Sequence, residues 1–282
     1  MTARRFSWAL LAVLVLVQIC YPLTTGTTRA RLTVATVVLG YLLSVGHALL
    51  TRGPRTAAAL VAVATGGGFA IEALGVATGF PFGSYDYSGQ LGPKLAGVPL
   101  IIPLAWTWMA WPAWLAAVRL TGGADRATGA DGIGAGRTLR RIALATLGLA
   151  TWDLFLDPQM VAEGYWVWRD ATPALPGLPG IPVSNYLGWL LFAVLMMSAL
   201  RPLAGAAVAV TDSRDDPMAA LYLWTYFSSV LAHAVFLALP ASALWGAVGM
   251  SVTAVPLAVT LYRARRGDRD SRPRPTRVDV PA

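Results

Sequence analysis

Two aspartates four residues apart, Asp153 and Asp157 in "TWDLFLDPQM" (Thr151 to Met160), sit in one of the most apolar settings of this 282-residue chain. Residues at that spacing are neighbours on one face of a helix, so the stretch reads as two adjacent carboxyls in a medium that disfavours anions. A carboxyl so placed can keep its proton near neutral pH, which makes the pair a candidate proton donor and acceptor. Hydrogen bonding to neighbouring helices is the plainer alternative, as is a helix end at Asp157, which precedes Pro158. Glu72 and His233 also interrupt apolar runs. Ionisable groups there are costly and mark functional candidates, although a lone His is more often a packed, hydrogen-bonded residue. The four offer O and N ligands to a divalent ion, but no HxxxH or ExxH pairing accompanies them, so no metal site is expected.

The elements that must position these groups are membrane helices. With 56% apolar and 13% charged residues and a mean hydropathy of +0.58, the composition is not that of an ordinary soluble domain. The sequence predicts an all-α, polytopic helical bundle with about eight spans: 6–24, 32–51, 56–78, 97–118, 141–157, 183–203, 218–239 and 241–262. Seven is the fallback, because the last follows its predecessor across only "LPAS" and contains Pro256. The first, after Arg4 and Arg5, runs apolar from Phe6 to Leu23 with no clear small-residue cleavage site and reads as an anchor. The single cysteine, Cys20, excludes an intramolecular disulfide framework. Residues 1–262 read as one membrane-embedded domain and 263–282 as a disordered basic tail.

Basic residues orient the bundle. With both termini cytoplasmic, 18 of the 22 Lys and Arg fall on the inner side, leaving Arg29, Arg31, Lys94 and Arg169 outside. That asymmetry accounts for a pI near 10.1 without nucleic acid, which is not an expected partner; the partners are the lipid bilayer and whatever the site binds. The expected location is the cell membrane, multi-pass. The Gly-rich stretch 121–136 reads as a flexible inner loop without the spacing of a phosphate loop. Helical rise then sets depth. Glu72 lies about 25 Å beyond Arg55 and Asp153 about 18 Å beyond Arg141, both in the outer half, while His47 falls in the inner half.

The outer segments joined to these helices are aromatic and rich in Gly and Pro. "GFPFGSYDYSGQLGPKLAGVPL" (Gly79 to Leu100) reads as irregular backbone over a cavity, a re-entrant or covering loop near 79–97 that brings Tyr85, Asp86 and Tyr87. "EGYWVWRD" contributes Tyr165, Trp166 and Trp168, and "GIPVSNYLGW" contributes Asn185. An interfacial aromatic belt explains individual Trp and Tyr residues, but not the arrival of Glu72, Asp86, Asp153, Asp157 and Asn185 at one level.

On "TGFPFGSYDYSGQLGPKLAGVPLIIPLAW", "WDLFLDPQMVAEGYWVW" and "GIPVSNYLGW", the chain resembles the integral-membrane carotenoid hydratases, which include bisanhydrobacterioruberin and gamma-carotene 1',2'-hydratases. The resemblance covers most of residues 30–262. It implies a long-chain carotenoid substrate and addition of water to a terminal double bond, giving a tertiary alcohol. It also leaves other membrane enzymes of carotenoid synthesis open as partners.

Hydration of such an alkene needs a proton on one carbon and water on the resulting tertiary cation. The expected catalytic residues are Asp153, as the deeper acid, with Asp157 or Glu72 orienting and deprotonating the water. Tyr85, Tyr87, Trp152 and Trp166 would offer ring faces to the cation, Asn185 would hold the water, and Asp86 and Tyr165 complete the expected substrate site. The reaction needs no redox cofactor or metal, so none is expected. Two rivals remain. An intramembrane prenyltransferase would want a second aspartate motif and more cations than Lys94, and a transporter or carotenoid-binding scaffold would favour inverted repeats.

Overall fold

A computed structural model describes residues 3–122, 134–204 and 210–270. Among these, ten α-helices form eight rods. They are α1 (Ala3–Cys20), α2 (Gly26–Arg52), α3 (Pro54–Leu60) running through a π-helical turn into α4 (Gly67–Thr78), and α5 (Ile102–Thr121). Then follow α6 (Ala135–Ala150), which bends at Thr151 and Trp152 into α7 (Asp153–Ala162), and α8 (Val183–Ala204). Last come α9 (Asp216–Leu231), extended by a second π-helical turn, and α10 (Pro240–Asp270). Six rods, all but α5 and the α6–α7 pair, are long and apolar enough to cross a membrane. The chain is a helical membrane protein.

Of the twenty residues of α5 only Leu104, Arg119 and Leu120 escape full burial, because α2, α4, α6 and α9 all pack around it. A helix enclosed by other helices need not be lipid-like on every face, so α5 carries four tryptophans and Pro112 in its centre. Proline has no N–H to give to the carbonyl four residues back. Here that carbonyl, on Trp108, accepts instead from the Ser44 hydroxyl of α2 at 2.8 Å. Ser44→Ala leaves it unsatisfied in a buried setting and is expected to cost about 1–3 kcal/mol, read as a lowered unfolding midpoint of the detergent-solubilised protein.

Several expected boundaries shift. The helix expected from 97 starts at Ile102, because residues 94–99 form a small hairpin of β2 (Lys94–Leu95) and β3 (Val98–Pro99). The span expected to end at Asp157 is broken earlier, at residues 151–152, and its second half continues past Pro158 to Ala162. The α10 helix runs to Asp270, into the stretch expected to be a disordered tail. Most of the Gly-rich loop, residues 123–133, and the tail from 271 onward lie outside the described residues.

At one end of the bundle the α4–α5 and α7–α8 connections meet. Their strands β1 (Tyr85–Tyr87) and β4 (Trp166–Trp168) pair antiparallel, with Tyr85 opposite Trp168 and Tyr87 opposite Trp166. An ion pair between Arg29 of α2 and Glu163 joins a third element to this end.

Candidate active site

The β1–β4 ribbon sorts its side chains by alternation. Tyr85 and Tyr87 turn inward, and both hydroxyls donate to Oε2 of Glu72, at 2.6 and 2.8 Å. Trp106, in the second turn of α5, donates its indole N–H to Oε1 at 2.9 Å. Glu72 is therefore held at both oxygens by three donors from two other segments. The close approach depends on Gly75, one turn on from Glu72, where a Cβ would stand 2.8 Å from the Tyr85 hydroxyl and 2.9 Å from the Phe82 ring. Asp86, between the two tyrosines, faces the other way. It is exposed and forms a two-pronged pair with Arg169 at 2.7 and 2.8 Å, and that guanidinium holds its carboxyl below the usual range.

The aspartates arrive on α7. Because Pro158 lacks an N–H, the carbonyl of Leu154 is free, and the Ser242 hydroxyl of α10 fills it at 2.7 Å. His233 of the second π-helical turn places its two ring nitrogens against the carbonyls of Phe155, at 3.0 Å, and Ser229, at 2.7 Å. With the helix so fixed, Asp153 and Asp157 lie buried side by side, and the amide nitrogen of Asn185, in the first turn of α8, reaches Oδ2 of both. The contact to Asp153 is 2.8 Å, and its other oxygen has no hydrogen-bond partner among the described residues.

A cavity of about 140 Å³ brings these groups together. Glu72, Asp157, Asn185, Tyr85, Tyr87, Trp152 and Trp166 all form part of its wall. Asp153 sits one turn back from Asp157, behind the wall. Tyr165 is buried against α2, its hydroxyl 3.5 Å from Thr33, and Asp86 lies outside. Most of the wall had no expected role, Trp106, Trp108, Trp189 and Phe82 among it, and Trp168, expected only as an outer-side aromatic, also lines it. Trp106 and Trp189 stack at 3.7 Å and 21°, with Trp152 edge-on to Trp189 at 6.2 Å. The spacing of "NYLGW" held a signal for one of them, since Trp189 follows Asn185 by one helical turn and shares its face. The wall also extends to Gln18 of α1 and to Thr225, Ser228 and Ser229 of α9.

The structure is a bundle of membrane helices that encloses an aromatic-walled cavity with buried carboxyls in its wall. Residues 32–257 match the carotenoid biosynthesis protein family, and the chain belongs to it. It is 33% identical over 164 residues to the bisanhydrobacterioruberin hydratase of Haloarcula japonica, a match over 55% of this chain and 50% of that protein. The chain thus spans about half the length of that relative. No solved structure matches it.

Proposed function

We propose that this protein hydrates a terminal C=C bond of an acyclic carotenoid end group, giving a tertiary alcohol. The observation that carries the reading is the placement of Asp157, Glu72 and Asn185 on one aromatic-walled cavity in a member of a carotenoid biosynthesis family. The name of the Haloarcula relative supports the choice of hydration. At roughly one water per 10–15 Å³, the cavity has room for about ten waters, enough to admit the branched end of a hydrocarbon.

Two carboxyls that share one amide donor in a dry interior hold a proton between them more readily than two charges. Asp157, the member on the wall, gives that proton to the less substituted alkene carbon. The alkene's π pair forms the C–H bond and leaves a tertiary cation, which faces of Trp152, Trp166, Tyr85 and Tyr87 stabilise by very roughly 2 kcal/mol. Water held by Glu72 and Asn185 attacks the cation, forming the C–O bond. Its surplus proton passes to Glu72 and returns to the aspartate pair before the next turnover. Asp153 and Asn185 set the position of the Asp157 carboxyl. Asp86 and Tyr165 act at a distance, bracing β1 and the α7–β4 turn that carry the wall. The bias of 18 basic residues to one side against 4 on the other supports eight spans in the cell membrane, both termini cytoplasmic and the site in the outer half.

Expression in a host that makes lycopene or gamma-carotene tests the reading by mass analysis of pigments. A product heavier by one water is the expected result. One heavier by a C5 unit would establish a prenyltransferase instead, and unchanged pigment with both substrates would leave a binding protein.

A further inference from the structure

A carotenoid is a long conjugated rod, and conjugation keeps it nearly straight. With its end group at the carboxyls, the rest of the chain must leave the cavity along one path. Most of the cavity wall consists of buried side chains. The wall is least enclosed where α1 and the 3-10 turn after it (Tyr21–Leu23) face α9 and its π-helical turn (Ala232–Phe236). There the wall residues Gln18, Pro22, Ser228, Ser229 and Ala232 are part-exposed. The residues beside them are exposed and apolar, Ile19 and Leu23 on one side of the seam and Phe227 and Leu231 on the other. Both rods are long and apolar enough to cross a membrane, so the seam opens toward lipid tails.

The seam has a floor and a width. The Trp224 indole N–H donates to Oε1 of Gln18 at 2.8 Å, one helical turn before Ser228, and closes the gap between α1 and α9 at that level. Nearer the start of both helices, Arg4 and Asp216 approach to 3.8 Å. Past the Gln18–Trp224 bond, α9 and its turn present only the small side chains of Ser228, Ser229 and Ala232 to the wall, which leaves room for a slender chain. The Ser228 hydroxyl turns back to the Thr225 carbonyl at 3.5 Å, so it offers no free donor to a hydrocarbon. This side of the seam is fixed in place, because His233 ties the Ser229 carbonyl of α9 to the Phe155 carbonyl of α7.

We propose that the seam between α1 and α9 is the binding groove for the polyene chain of the substrate, with Gln18 and Trp224 as its floor, and that the end group passes through it from the bilayer to the carboxyls. Grooves between the helices of a bundle are natural sites for an apolar ligand. The proposal rests on the carotenoid reading of the cavity and not on hydration.

The test is protection from alkylation. Cys20 is the single cysteine, so in a Cys20→Ser background Ser228→Cys or Ala232→Cys places one thiol in the seam, and Leu195→Cys places one on an exposed face of α8. Each full-length variant is treated with a maleimide in detergent, alone, with lycopene, or with a short acyclic hydrocarbon of two isoprene units that carries the same terminal alkene. Lycopene at about ten times its half-saturating concentration is expected to slow labelling about tenfold at residues 228 and 232 and to leave residue 195 unchanged. The short hydrocarbon is expected to protect far less, because it leaves the seam open. Two thiol positions keep the test usable should one variant fail to fold. Labelling in the seam unchanged by lycopene, slowed equally by the short hydrocarbon, or slowed equally at residue 195 overturns the proposal. Protection without any alcohol in the pigment assay removes hydration and leaves the groove standing, whereas alcohol formed without protection removes the groove alone.

Discussion

Asp157→Asn is expected to lower hydration by roughly 10²–10⁴-fold while the protein still accumulates in the membrane, the usual worth of a general acid. The substitution keeps the side chain's shape, and the new amide can still turn its carbonyl oxygen toward the Asn185 side chain. What it removes is the transferable proton at the cavity wall. Asp153→Asn is the informative comparison. Asp153 sits behind Asp157 and shares the Asn185 donor, so its loss is expected to slow the reaction less than Asp157→Asn does. Pigment analysis in a carotenoid-producing host, normalised to protein level, checks both. Normal hydration by Asp157→Asn would remove it as the acid, and a deeper defect in Asp153→Asn would transfer the role one turn back.

The second large effect is expected at Glu72, in stability and activity together. Both of its oxygens are acceptors, Oε2 for Tyr85 and Tyr87 and Oε1 for Trp106. Glu72→Leu removes both acceptors and leaves the Trp106 N–H and the two tyrosine hydroxyls without the partner each has here, at a cost of about 1–3 kcal/mol for each buried donor left unpaired. Glu72→Gln keeps an oxygen for the Trp106 N–H, and the tyrosine hydroxyls can rotate to accept from its amide nitrogen, so this variant is expected to retain most of the unfolding midpoint. Hydration is not expected to be retained with it, because a neutral amide cannot take the proton from water. Retention of both would reduce Glu72 to a structural anchor for β1 and α5.

The helical nature of this protein was legible in the chain because runs of about twenty apolar residues encode a membrane helix locally, whatever they later pack against. The break at residues 151–152 was not, since Thr151 and Trp152 carry neither the glycine nor the proline that marks a helix end in sequence. Pro158 misled in the opposite sense. A proline reads as a helix end, but Ser242, 84 positions along the chain, takes up the carbonyl it frees, and α7 continues.

The acids themselves could be found by sequence, because a charged residue in an apolar run stands out without any knowledge of the fold. Their directions could not. Asp86 shares its stretch with Tyr85 and Tyr87, yet strand pairing with β4 sends it to the surface and the tyrosines to Glu72. Trp106 lies 34 residues from the carboxylate it holds, and Asn185 lies 28 and 32 from the two it bridges. Local sequence determined that this is a helical membrane protein with rare acids in apolar company. Only the tertiary structure decided that Asp157 faces the cavity with Asp153 behind it, because the side of α7 that meets open space is set by α8 and α10 packing against the other sides.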